Sequence, residues 1–184
     1  MPIAAFQTSA AVTLTADRAT ATPVHLQRAD ATVGGVLDVL VWSHLSGTTG
    51  GTVTVQPIMQ DPEVKDLAEA ASTTTAINLT AHGFEVGDMV AVRDVAADTW
   101  ECRRIASETT DQIVVTPALS GAPAVGDEVY LAHVGPEATG NIDGVCSSVT
   151  ASSPGVVFVG QLFAQAWTSS ATDNVGRLSA GASK

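Results

Sequence analysis

The sequence predicts a mainly β protein: a β-sandwich with a small inserted β-barrel and one short helix. Three observations carry that prediction. The 184 residues are 45% hydrophobic but only 4% aromatic, so the apolar mass is Val, Leu, Ile and Ala beside much Thr, Ser and Gly, a mixture that favours strands and turns. Period-two alternation recurs in the first third of the chain. From residue 76 to 132, turn residues return about every ten positions, the spacing of a small barrel.

The elements follow in order. Val12-Thr13-Leu14-Thr15 alternates as a half-buried strand does. Val36-Leu37-Asp38-Val39-Leu40-Val41-Trp42 is apolar on both faces apart from Asp38 and reads as a central strand. Gly47-Thr48-Thr49-Gly50-Gly51 then leads into the alternating Thr52-Val53-Thr54-Val55-Gln56, a pattern that predicts a β-hairpin. Asp61-Pro62-Glu63 carries helix-start chemistry, and Val64, Leu67, Ala68 and Ala71 recur at helical spacing, so a short helix is expected there. Packing would have to hold it, because its Lys65 and Glu69 stand in the weaker order for an i,i+4 pair.

Short strands are expected at Ile77–Leu79, Met89–Arg93, Cys102–Ile105, Gln112–Thr116 and Val129–Leu131. Within this stretch Val86-Gly87-Asp88-Met89-Val90 is echoed 39 residues later by Val125-Gly126-Asp127-Glu128-Val129, a Gly-Asp turn feeding a strand twice. Val156–Phe163 reads as a buried strand, and the tail Ser179–Lys184 as frayed or ordered by a partner. Residues 1–72 with 134–184 are therefore expected to form the sandwich, the partner-binding part. Residues 76–132 would be the inserted barrel.

Eight Lys and Arg against 19 Asp and Glu leave a net charge of −11. Nucleic-acid affinity rests on releasing counterions from phosphates, so this balance argues against a nucleic-acid partner and equally against an anionic membrane surface. No apolar run approaches the ~18 residues of a membrane span. Met1-Pro2-Ile3-Ala4-Ala5-Phe6 lacks a basic n-region, so folding in a cytosol is the expectation.

Chemistry-bearing patterns are sparse. Cys102 and Cys146 form no C-x-x-C pair and are expected as reduced structural thiols. His25, His44, His82 and His133 are dispersed, without ligand spacing. Asp61, Glu63, Asp66 and Glu69 cluster, but a helix start and a solvated face account for them better than a cation does. Nucleophile-elbow, dinucleotide and P-loop signatures do not occur, so neither enzymatic activity, metal nor cofactor is expected. Trp42, Trp100 and Trp167 could each stack on a sugar, but Trp42 lies in the most apolar strand and reads as core. Trp100, at a loop-to-strand junction, and Tyr130 are the candidate ligand contacts, since indoles and phenols can stack on sugars.

The most specific run is Ala81-His82-Gly83-Phe84-Glu85-Val86-Gly87-Asp88-Met89-Val90. Gly83, Gly87, Asp88, Gly126 and Asp127 are its structural turn residues and those of its echo. The pattern HGF-x-V-GD-x-V, followed by Trp100, Ile105 and Gln112–Thr116, resembles small β-barrel modules of tailed-bacteriophage virion proteins. The segment Ser46–Pro57, SGTTGGTVTVQP, is similar to sandwich hairpins of phage head and tail proteins. The resemblance brings no catalytic residues. It implies a virion structural protein made in the host bacterial cytoplasm: a capsid decoration or cement protein, homo-oligomeric, with the major capsid protein or other virion proteins as partners. A tail tube, terminator, baseplate or fibre component, or a glycan- or receptor-binding module using Trp100 and Tyr130, is the alternative. Composition agrees, since 15% charged residues leave surplus apolar surface that repeated interfaces would cover.

Overall fold

The computed structural model describes residues 3–8, 12–28, 37–46, 51–141, 147–156, 160–169 and 175–183, and no helix occurs among them. The chain divides into two compact units, residues 1–59 with 134–184, and residues 60–133. In chain order the strands are β1 (Ile3–Thr8), β2 (Val12–Thr13), β3 (Val24–Arg28), β4 (Leu37–Ser46), β5 (Thr52–Leu67), β6 (Ala76–Asn78) and β7 (Met89–Asp94). They continue as β8 (Thr99–Thr109), β9 (Gln112–Thr116), β10 (Glu128–Val134), β11 (Ala138–Asn141), β12 (Ser147–Val156), β13 (Gln161–Thr168) and β14 (Val175–Ser183). The protein is mainly β and its strand pairs are antiparallel.

In the first unit one ladder runs β1-β14-β4-β12, with β2 also on β14. A second joins β3, β13 and the first part of β5, with β11 on β5. Leu178 of β14 packs in one core with Leu14, Leu26, Val53, Val55, Leu162, Ala164 and Ala166. Alternation along β5 and β13 puts these apolar residues on one face, and fully burying such a side chain contributes about 1.5–3 kcal/mol. The other face carries a buried amide pair: Gln165 Nε2 donates to Gln56 Oε1 at 2.9 Å, and Gln56 Nε2 donates to the Gly135 carbonyl at 2.9 Å. Gln56 and Gln165 stand directly opposite in the ladder. Register is thereby tied to amide satisfaction, because a slip would strand buried polar groups.

The second unit orders the end of β5, then β10, β7, β8, β9 and β6. Glu69 N donates to the Asn78 carbonyl at 2.9 Å and links the segment after β5 to β6. Val90, Val92, Ile105, Ile113, Val115 and Val129 form its core with Ile77, Leu79, Phe84 and Leu119. Each strand expected between residues 77 and 131 is present, extended by a few residues in β8 and β10.

Four expectations are corrected. The helix expected over residues 61–71 is instead the end of the 16-residue β5 and the loop after it. Asp61 does accept from the Glu63 N–H, at 2.9 Å, but the chain stays extended. Val64 and Leu67 are exposed, so no helical apolar face is buried, and the ladder to β10 supplies what a short, weakly supported helix could not. Residues 60–72 accordingly fall in the second unit.

The expected hairpin also gives way: β4 pairs with β12 and β14, while β5 pairs with β13, β10 and β11. A glycine-rich connection permits a tight turn but does not impose one. The single buried strand expected at Val156–Phe163 is interrupted at Gly160: Val156 ends β12, Gln161–Phe163 open the buried β13, and residues 157–159 lie outside the described residues. Ser179–Ser183 of the expected frayed tail belongs to β14, paired with β1 on one side and β4 on the other.

Candidate functional site

The residues singled out by the sequence converge in the second unit around the strand pair β7/β10. Gly87 and Gly126 hold φ of +97° and +91°, in the left-handed region that glycine tolerates best. Each aspartate that follows closes its turn identically. Asp88 N donates to the Glu85 carbonyl at 3.1 Å while Asp88 Oδ2 accepts from Glu85 N at 2.9 Å. Asp127 N donates to the Ala124 carbonyl at 3.1 Å while Asp127 Oδ2 accepts from Ala124 N at 2.8 Å. The flanking bonds match too: Gly87 N and Asp88 O pair with Ile105, and Gly126 N and Asp127 O pair with Ala68.

Because Val90 faces Leu131 and Val92 faces Val129, with Ala91 opposite Tyr130 between them, the echo is a local pseudo-twofold about that central pair. The two copies diverge at the buried Asp127, whose Oδ1 accepts from Val95 N at 3.0 Å. Gly83, with φ of +73°, lets the chain fold so that His82 Nδ1 accepts from Phe84 N at 3.0 Å. Nε2 of the same ring reaches the Thr109 carbonyl at 2.7 Å, and the imidazole stacks on Phe84 with centroids 5.6 Å apart. The HGF run is thus a structural clamp on the β8–β9 corner.

Trp100 and Tyr130 come together, their ring centroids 5.6 Å apart and tilted by 36°. A polar network surrounds them. Glu128 accepts from Lys65 Nζ at 2.9 Å, Arg93 Nη1 at 3.0 Å and the Tyr130 hydroxyl at 2.9 Å. Arg93 also binds Asp98 Oδ1, at 2.8 Å through Nη2, and lies over the Trp100 ring at 5.6 Å. Lys65 lies over Tyr130 at 5.8 Å. Tyr130 is buried and Trp100 half-buried, so the indole is the more accessible ring. The lysine and arginine beside Glu128 hold its carboxyl down at about 2, the Lys65 hydrogen bond being the largest cause. Burial, then the bond to Glu128, pushes the Tyr130 phenol up.

Sequence reasoning named the two rings and missed Lys65, Arg93, Asp98 and Glu128. Part of the network was visible: Glu128 and Tyr130 share a strand face two residues apart, and Glu128 replaces the apolar Met89 of the first copy. The rest was not, since the residues around Lys65 carry a helical pattern although the chain is extended there.

Beside the network, Val92, Asp94, Thr99, Glu101, Leu119, Ser120 and Asp127 line a small cleft. Its carboxylates are satisfied internally: Glu101 pairs with the buried Arg103, and Asp94 Oδ1 accepts from Ala97 N at 2.9 Å. Arg103 further donates from Nε to the Ala118 carbonyl at 3.1 Å. Among the described residues, no group of His, Cys, Asp and Glu side chains is placed to hold a metal ion. Cys102 is fully buried, and burial pushes its thiol up to about 12, so it stays protonated and inert. Cys146, Trp42's side chain and the side chain of His44 lie outside the described residues.

Comparisons with protein-family models, curated proteins and solved structures return no match.

Proposed function

We propose that this is a non-enzymatic virion structural protein of a tailed bacteriophage, a decoration or cement subunit that docks on an assembled capsid shell. The observation that carries the reading is an apolar patch around the second Gly-Asp turn. Val125 is 73% exposed, Leu67 and Val95 each 47%. Backbone bonds gather them: Ala68, next to Leu67, pairs with Gly126 and Asp127, and Val95 N donates to the Asp127 carboxylate. Val86 is likewise exposed at the first turn, but at the second Leu67 and Val95 join the valine, so three aliphatic side chains stand there in water. They suit a partner surface that removes them from solvent.

The net charge of −11 keeps such a subunit soluble before docking. The likeness of the HGF-x-V-GD-x-V run to virion modules supports the choice of a phage particle as the partner. Residues 3–8 and 175–183 are paired in β1 and β14, and attachment is assigned to the patch in the second unit rather than to the first unit, which the sequence makes the partner-binding part. Converting Leu67 and Val125 together to Ser should abolish binding to stripped capsids and leave the melting temperature within a few degrees. Unchanged binding by that double variant overturns the assignment.

A second reading, glycan or receptor binding, is favoured by the half-exposed Trp100 beside Tyr130 and Arg93. Loss of glycan-array or host-cell binding on Trp100→Ala, with capsid attachment absent, would select it.

A further inference from the structure

We propose that β12 is a self-pairing edge through which two copies of this chain form an antiparallel, twofold-symmetric dimer. Among the described residues β12 pairs along one side only, with β4. From Ser147 to Ser153 that pairing runs in unbroken register against Leu45 to Val39, and only beyond Ser153, around Pro154, does it shift. Along these seven residues the backbone N–H and C=O groups of alternate residues point away from β4 in a regular array, the template that proteins ordinarily blunt with charge, shortness or a bulge.

None of those devices lies within the seven. The run is Ser147-Ser148-Val149-Thr150-Ala151-Ser152-Ser153 and carries no charge. Among the described residues the other edge strands are shorter or blunted: β2 has two residues, β6 three and β11 four, β3 contains His25 and Arg28, and β1 is broken by a register shift between Ile3 and Phe6.

The occupant follows from the order of the residues. Reversed, the run reads Ser-Ser-Ala-Thr-Val-Ser-Ser, nearly the same string. An antiparallel pair centred on Thr150 sets Ser147 opposite Ser153, Ser148 opposite Ser152, Val149 opposite Ala151, and Thr150 opposite its own copy. Hydroxyl meets hydroxyl, aliphatic meets aliphatic, and no like charges face each other, which is what favourable cross-strand pairs require. A twofold contact is self-complementary by construction, and this edge satisfies that condition with a single segment. The inference does not depend on attachment to a capsid.

Sedimentation of the full chain tests it. The wild type should run at twice the 18.7 kDa subunit mass. Thr150→Lys and Thr150→Glu, each setting like charges opposite one another, should each dissociate roughly tenfold or more readily. Mixing the two variants in equal amounts should restore the dimer. A wild type that stays at subunit mass, or variants that dimerise as well as the wild type, would overturn the proposal. So would a mixture of folded variants that fails to recover.

Should either charged variant not fold, disulfide trapping in a Cys146→Ser background reads the same register. Thr150→Cys should cross-link to a covalent dimer on oxidation, and Ser148→Cys should not. Equal cross-linking of both, or of neither, refutes the pairing.

Discussion

A valine or an asparagine at position 87 separates two ways in which a glycine can matter. A Cβ built on Gly87 meets nothing within 4 Å, so any penalty there is one of backbone conformation rather than of space. Gly87→Val should lower stability by about 1–3 kcal/mol, and Gly87→Asn should recover much of that, because asparagine tolerates the left-handed region and valine does not. Equal melting temperatures for both variants would contradict the turn's role. Glu128 makes a second prediction at this scale. Its folded-state value of about 2 lies below the ordinary 4.5. The carboxylate therefore adds stability above the ordinary value and loses it as pH falls from there toward 2, a contribution of order 2 kcal/mol after screening at the exposed Lys65. Glu128→Gln should be less stable at neutral pH, with a flatter melting profile through that acid window. A profile parallel to the wild type's would remove Glu128 as the centre of the network.

Elements show where local reading succeeds and where it stops. The strands between residues 76 and 134 are short, alternate cleanly and end in turn residues a few positions away, so all the information needed to place them is local. The apparent helix start at Asp61 failed because an aspartate accepting from the N–H two residues on serves an extended chain as readily as a helix. Which ladder β5 would join was written 63 residues away, where Glu128 meets Lys65, and no local pattern reports that. The same distance hid the network around Trp100 and Tyr130. The chain's tail is the sharpest case: its Ala, Ser and Gly residues look unstructured, yet Ser179–Ser183 bridge β1 and β4. Deleting residues 179–184 should thus cost several backbone hydrogen bonds on both sides of β14 and lower the melting temperature markedly. A truncated protein melting with the wild type would show that β14 contributes nothing beyond Leu178.

At the scale of the whole molecule, the division after Met59 and before Val134 gives each unit its own core. Replacing residues 60–133 by a short Gly-Ser bridge should leave a remainder with β-type circular dichroism and a cooperative melt. A disordered spectrum would mean that the first unit cannot fold without the second. The functional reading belongs to this scale as well, since a decoration subunit is defined by how many copies a particle holds. Titrating purified protein onto stripped capsids and counting bound copies is its most direct test. A decoration subunit should saturate at a fixed number of copies compatible with the shell's symmetry, and the Leu67→Ser, Val125→Ser double variant should abolish that binding. Binding that never saturates, or no binding at all to the stripped shells, would contradict it.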